Sequence, residues 1–104
     1  MRPVGATPTP SPVGERIIAA IKERRRLSFS YHGQRRFVEP QCLGFTAKNL
    51  ESLRGYLPHG GEVSERLFTI AEMSDLIVLD EHFSKPGPHY TKGDSAMKVI
   101  LAEL

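Results

Sequence analysis

Leu27-Ser28-Phe29-Ser30-Tyr31-His32-Gly33-Gln34-Arg35-Arg36-Phe37-Val38-Glu39 decides the fold. Its first five residues alternate apolar and polar. That period predicts a half-buried strand with Leu27, Phe29 and Tyr31 on one face. His32-Gly33-Gln34 is a short glycine-containing turn, so the chain should return as a hairpin through Arg35 to Glu39. Pro40 has no N–H to give a ladder and is expected to break or bend the returning strand. Cys42-Leu43-Gly44-Phe45 resumes an apolar, strand-like stretch, and Ala47-Lys48-Asn49 reads as the next turn.

Outward from the hairpin, Leu50 to Tyr56 predicts a third strand and Pro58-His59-Gly60-Gly61 a loop. Arg66 to Ile70 and Leu76 to Leu79 are two further strands. Ala71 to Asp75 between them reads as a turn or as one helical turn. Ahead of the hairpin, Ser11-Pro12 suits a helix start, because serine caps free N–H groups and proline fits the first helical position. Ile17, Ile18, Ala20 and Ile21 then recur at helical spacing, with the helix ending near Arg25. Met1 to Thr9, rich in proline and small residues, predicts an extended arm. After Pro86-Gly87-Pro88, Asp94 to Leu104 reads as a short helix with Asp94 as its cap and Met97, Ile100, Leu101 and Leu104 on one face. The expected fold is mainly β with flanking helices. It is a small five-stranded Sm-like or SH3-like barrel, preceded by an N-terminal helix and followed by a short C-terminal one. The expected divisions are an arm over 1–10, the helix and barrel over 11–83, and a linker with the terminal helix over 84–104.

A chain of 104 residues with 39% apolar content has room for one domain. The net charge of +2 says less than its distribution. Arg16 to Arg36 holds seven basic residues and one acid, whereas Glu62 to Glu81 holds six acids and one base. A basic side favours phosphates or carboxylates, although part of that cluster also complements a helix C-terminus. The single cysteine, Cys42, admits no internal disulfide and fits a reducing cytoplasm; its apolar neighbours make it core rather than nucleophile. No apolar run is long enough to span a membrane. His32, His59, His82 and His89 are scattered without metal-ligand spacing. No phosphate-binding glycine motif and no nucleophile–base set emerges, so neither an enzyme nor a cofactor or metal is expected.

The arginines carry more. Arg36 follows the Tyr31 turn, Arg54 precedes Gly55-Tyr56 on another strand, and Arg66 opens a third. A guanidinium offers a planar fork to phosphate or carboxylate, and a neighbouring tyrosine can stack on a base or donate a hydrogen bond. Alternation puts Arg54 with Tyr56 on one side of their strand, and Arg66 with Phe68 and Ile70 on one side of theirs. An arginine on a core-facing side either pairs with a carboxylate such as Glu39 or Glu65, or lines a pocket.

Ile21-Lys22-Glu23-Arg24-Arg25-Arg26-Leu27-Ser28-Phe29-Ser30-Tyr31-His32-Gly33 resembles the opening of the WYL domain family, in which a helix ending in a basic run leads into an aromatic strand. Arg36-Phe37-Val38-Glu39-Pro40-Gln41-Cys42-Leu43-Gly44 and Leu53-Arg54-Gly55-Tyr56 are similar to its middle segments. Arg66 to Ile70 and Leu76 to Phe83 are similar to its close. The resemblance implies an Sm-like barrel. It also implies a cytoplasmic, bacterial regulatory or sensor module of the kind attached to transcription factors and phage-defence proteins. Carried over by position, Tyr31, Arg54 and Arg66, then Arg36, are the expected ligand-binding residues. The expected partner is an anionic small ligand, a nucleotide or a short nucleic acid. The name-giving Trp-Tyr-Leu falls on Glu51-Ser52-Leu53, and Glu65 stands where an aromatic is expected before Arg66. Those departures shift the expected ligand away from a stacked strand and towards a small anion. The alternative is a structural, oligomerisation or protein-interaction module whose arginines pair internally.

Overall fold

The computed structural model describes residues 8–59 and 64–104. The element order is α1 (Pro12–Glu23), β1 (Arg25–Tyr31), β2 (Gln34–Thr46), β3 (Glu51–Tyr56), β4 (Glu65–Thr69), a 3₁₀ turn (Ile70–Glu72), β5 (Met73–His82) and β6 (Met97–Glu103). Most of the expected arm, Met1 to Thr7, and Gly60 and Gly61 of the expected loop lie outside the described residues.

The helix begins as the sequence implies. Ser11 Oγ accepts a hydrogen bond from the Gly14 N–H at 3.0 Å, and Pro12 takes the first helical position. The helix's last residue is Glu23, two before the expected end near Arg25. Arg24 adopts the left-handed conformation (φ 55°, ψ 46°), and its N–H bonds back to the carbonyls of Ala20 and Ile21. Arg25 is therefore already in β1. Ile17, Ala20 and Ile21 are buried and join Leu27, Phe29, Val38, Leu43, Leu53, Phe68 and Ile70 in one core. Each large side chain so buried contributes about 1.5–3 kcal/mol.

β1 and β2 form the expected hairpin, with Tyr31 paired to Gln34 and Leu27 to Val38. His32 and Gly33 between them both have positive φ, 50° and 77°. This matches the type I′ turn, whose twist suits the flanking strands. Pro40 does not end β2. The register against β3 shifts between Pro40 and Cys42, and the strand runs on to Thr46. A bulge absorbs the missing donor.

All strands are antiparallel, in the order β4-β3-β2-β1-β5, with β6 off this path against β2. Among the described residues no ladder joins β4 to β5, so the sheet is open rather than a closed barrel. It has six strands rather than five, because the expected C-terminal helix is a strand. β1 covers only the first part of β2 and leaves the edge over Cys42–Thr46 to be filled. Met97–Glu103 fills it, pairing Gly44 with Ile100 and Phe45 with Val99. The spacing of Met97, Ile100, Leu101 and Leu104 fits a helix. Yet the unbroken Val99-Ile100-Leu101 run fits a strand equally well, and a helix this short gains little on its own. Asp94 caps no helix; its Oδ1 accepts from the Ala96 N–H at 2.9 Å in a tight turn leading into β6.

Gly44 marks how closely β6 approaches. A Cβ there would lie 2.1 Å from the Val99 carbonyl oxygen, which belongs to rigid backbone. Gly44→Ala is expected to cost about 1–3 kcal/mol in urea unfolding, as overpacking does. A helix over Asp94–Leu104 would leave that substitution neutral.

Candidate anion-binding site

The hairpin turn places Tyr31 at the end of β1 with its ring against the core. It meets Phe68 edge-on at 5.0 Å and Phe29 at 6.3 Å, and it stacks on His32 at 4.2 Å. Its hydroxyl accepts from the Thr69 N–H at 3.1 Å, which fixes the ring. The neighbouring His32 ring is held by Glu72, with Nε2 2.6 Å from Oε1.

Arg36 pairs with the buried Phe29 and therefore points to the inner face. Its guanidinium carbon lies 6.0 Å from the Tyr31 ring centre, and Nη2 donates a long 3.5 Å bond to the Tyr31 carbonyl. Arg36 Nε is buried with no hydrogen-bond partner among the described residues. Such a group costs about 1–3 kcal/mol while it stays unmet.

Arg66 pairs with Gly55, two residues before the buried Phe68, so it too is on the inner side. It is exposed at the start of β4. By alternation Tyr31, Arg36 and Arg66 thus belong to one face, on which Tyr31 touches Phe68 and Arg36 lies beside Tyr31.

Arg54 does not join them. It pairs with Leu67 and projects from the opposite face. There it makes a two-pronged ion pair with Asp94, Nε to Oδ2 at 2.8 Å and Nη2 to Oδ1 at 3.4 Å. The partner is neither Glu39, which holds Arg26 at 2.9 Å, nor Glu65. Burial alone would raise the Asp94 pKa. The hydrogen bonds from Arg54 and the Ala96 N–H, with the guanidinium charge, outweigh it and hold the carboxyl below its ordinary value.

Asp94 belongs to a strap, residues 84–96, laid over the outer side of β2 and β3. Gln41 is the other anchor, and sequence reading passed over it. It sits in the Pro40–Cys42 bulge, is 1% exposed, donates to Glu65 Oε1 and accepts from the Gly87 N–H, both at 2.8 Å. A lone amide in the otherwise non-polar stretch from Pro40 to Phe45 was the available signal. Tyr90 completes the seam, its hydroxyl donating to the Leu104 carbonyl at 2.7 Å. Beneath the strap is a cavity of about 380 Å³ lined by Gln41, Arg54, Glu65, His89, Tyr90 and Asp94 among others. Asp94 neutralises Arg54, Glu65 lines the wall, and Glu103 accepts from the Gly93 N–H at 3.2 Å. This cavity therefore carries an acidic surplus and does not suit an anion.

The basic run at the end of α1 is also engaged. Arg24 holds the Ser84 carbonyl, Arg25 the Leu79 carbonyl and Asp80, and Arg26 the Glu39 carboxylate. Cys42 is buried, and burial, then the charges of Asp94 and Glu103, push its thiol up to about 12. That leaves it no nucleophilic role at neutral pH. Among the described residues no group of three or more His, Cys, Asp or Glu side chains is arranged to hold a metal ion. Among the described residues no helix is long and apolar enough to cross a membrane. No protein-family model matches the chain, and no curated protein is significantly similar to it.

Asp94→Asn should destabilise the fold by about 1.5–3 kcal/mol, the usual worth of hydrogen bonds to a charged group. Because the folded pKa is depressed, this contribution is fully present above the ordinary carboxylate range and is lost as pH falls through the folded value. Urea titrations of wild type and variant should therefore differ at neutral pH and converge in acid. Cys42 should resist thiol reagents at pH 7 in the native protein and react once it is unfolded.

Proposed function

We propose that this chain is a WYL-like ligand-binding regulatory module, bacterial and cytoplasmic, with no catalysis of its own. It takes a small anionic ligand, a nucleotide or the end of a short nucleic acid, at Tyr31, Arg36 and Arg66. The observation that carries this reading is Arg36: a cation held against an aromatic ring, with a buried Nε that lacks a partner among the described residues. A phosphate oxygen would supply that partner. Arg66 adds a second, exposed cation on the same face, and the stacked Tyr31–His32 pair offers a flat surface to a base. The strand order β4-β3-β2-β1-β5 and the 3₁₀ turn between β4 and β5 support an Sm-like or SH3-like barrel plan for the frame. Arg54, included on sequence grounds, holds the strap instead.

A structural or interaction module is the second reading. It is favoured by the internal pairs Arg54–Asp94 and Arg26–Glu39, which use arginines to hold the fold.

Calorimetric titration with a nucleoside triphosphate and with a short single-stranded oligonucleotide separates the two. Binding at low salt should weaken steeply as salt rises, because phosphate contacts release counterions. Arg36→Ala and Arg66→Ala should each cost about ten- to a hundredfold in affinity, and Arg54→Ala should leave it nearly unchanged. No binding at low salt, or binding untouched by the Arg36/Arg66 double substitution, would favour the interaction module.

A further inference from the structure

The strap over residues 84–96 covers the outer side of the sheet without belonging to it. It contains no helix or strand, and each of its residues is exposed or half-buried. The buried residues stand at its two ends, where Phe83 is 6% and Met97 8% exposed. Phe83 is fixed further by its N–H, which donates to the Arg24 carbonyl at 2.9 Å. The backbone-to-backbone bonds of the strap close its own turns, Tyr90 N–H to the Gly87 carbonyl and Met97 N–H to the Asp94 carbonyl, each at 3.1 Å. Its bonds to the rest of the molecule each use a side chain. Among the described residues Arg54–Asp94 is the one ion pair that ties it down. A segment that buries little and is held by few bonds opens at a lower free energy than the sheet beneath it.

Cys42 shows what the strap covers. It pairs with Arg54 in β3 and with Glu103 in β6, so the three form one row across the sheet. Leu43 belongs to the core, and alternation therefore turns Cys42 to the outer side. On that side it is still only 1% exposed, with Asp94 and Arg54 near enough for their charges to act on its thiol. The cover there is the strap, and the cavity of about 380 Å³ beneath it leaves that cover incompletely packed. Gly87 marks where the strap is pressed closest. A Cβ at that position would lie 2.7 Å from Tyr56 Cγ and 3.0 Å from Gln41 Oε1. A side chain at 87 thus pushes the strap off the ring without touching Arg54 or Asp94.

We propose that residues 84–96 form a lid that opens as a unit on Phe83 and Met97 while the sheet stays folded. The Arg54–Asp94 pair is its latch, and opening bares Cys42 and frees the Arg54 guanidinium. Alkylation of Cys42, the chain's single cysteine, by iodoacetamide in the native protein reads the opening, and amide hydrogen exchange shows which segments take part. The wild-type reaction should be slow and nearly independent of urea at low urea, because lifting the strap exposes little surface. Asp94→Asn should speed it about ten- to a hundredfold at neutral pH, the loss expected for hydrogen bonds to a charged group. Gly87→Ala should speed it too, and carries the test alone if Asp94→Asn fails to fold. Ile17→Val, which weakens the buried contacts of α1, lowers global stability and should leave the rate unchanged. The Gly87 and Tyr90 amides should exchange ahead of those of β2 and β6. The proposal is overturned if alkylation climbs steeply with urea from the start, or if Ile17→Val speeds it in step with its stability loss. It is equally overturned if neither strap variant speeds it, or if β6 amides exchange together with those of the strap.

Discussion

Everything in this fold depends on β2 serving three ladders at once. Its first residues pair with β1, its later ones with β3 on one edge and β6 on the other. No straight strand does this without a change of direction, and the Pro40–Cys42 bulge supplies one. The cost is that Val38 to Phe45 is buried throughout. The core covers one side. The other side needs its own cover, and the strap provides it, with Gln41 from the bulge and Arg54 from β3 as its fastenings.

That arrangement sorts the arginines by what they can still do. A cation whose donors meet carbonyls or a carboxylate has little left for a ligand unless the ligand displaces them. Arg24, Arg25, Arg26 and Arg54 are in that position. Arg35 spends two donors on serine hydroxyls and keeps its charge unmatched among the described residues. Arg36 is held by an aromatic ring and one long bond. The polarity visible along the chain is real in composition, yet much of the basic block is structural glue.

The hairpin was fully legible in the sequence, because alternation, a glycine turn and helix capping are local signals that agree with one another. The bend at Pro40 and the strand-like stretch from Cys42 to Phe45 were legible too, but not that one strand runs through a bulge there, since a bulge is settled by the neighbours on both edges. β6 was misread because its apolar spacing satisfies two periods, and only the vacant edge of β2 decides between them. For the candidate site, alternation correctly grouped Arg66 with Phe68 and Arg54 with Tyr56. It could not show that the pairing of Gly55 with Arg66 turns the two arginines to opposite sides. Nor could it reach Asp94, forty positions from Arg54. Register and long-range ion pairs are properties of the assembled sheet.

The late position of β6 has a consequence for how the chain is made. Cys42 finds its partner Glu103 only once the chain has been made through β6. Until then a nascent chain holds the hairpin and helix with a bare, apolar strand edge at Cys42–Thr46. Non-local pairing of this kind raises contact order and slows folding. It also leaves an open template for wrong partners. The thirteen-residue strand that unifies the finished molecule is therefore its most exposed element during synthesis.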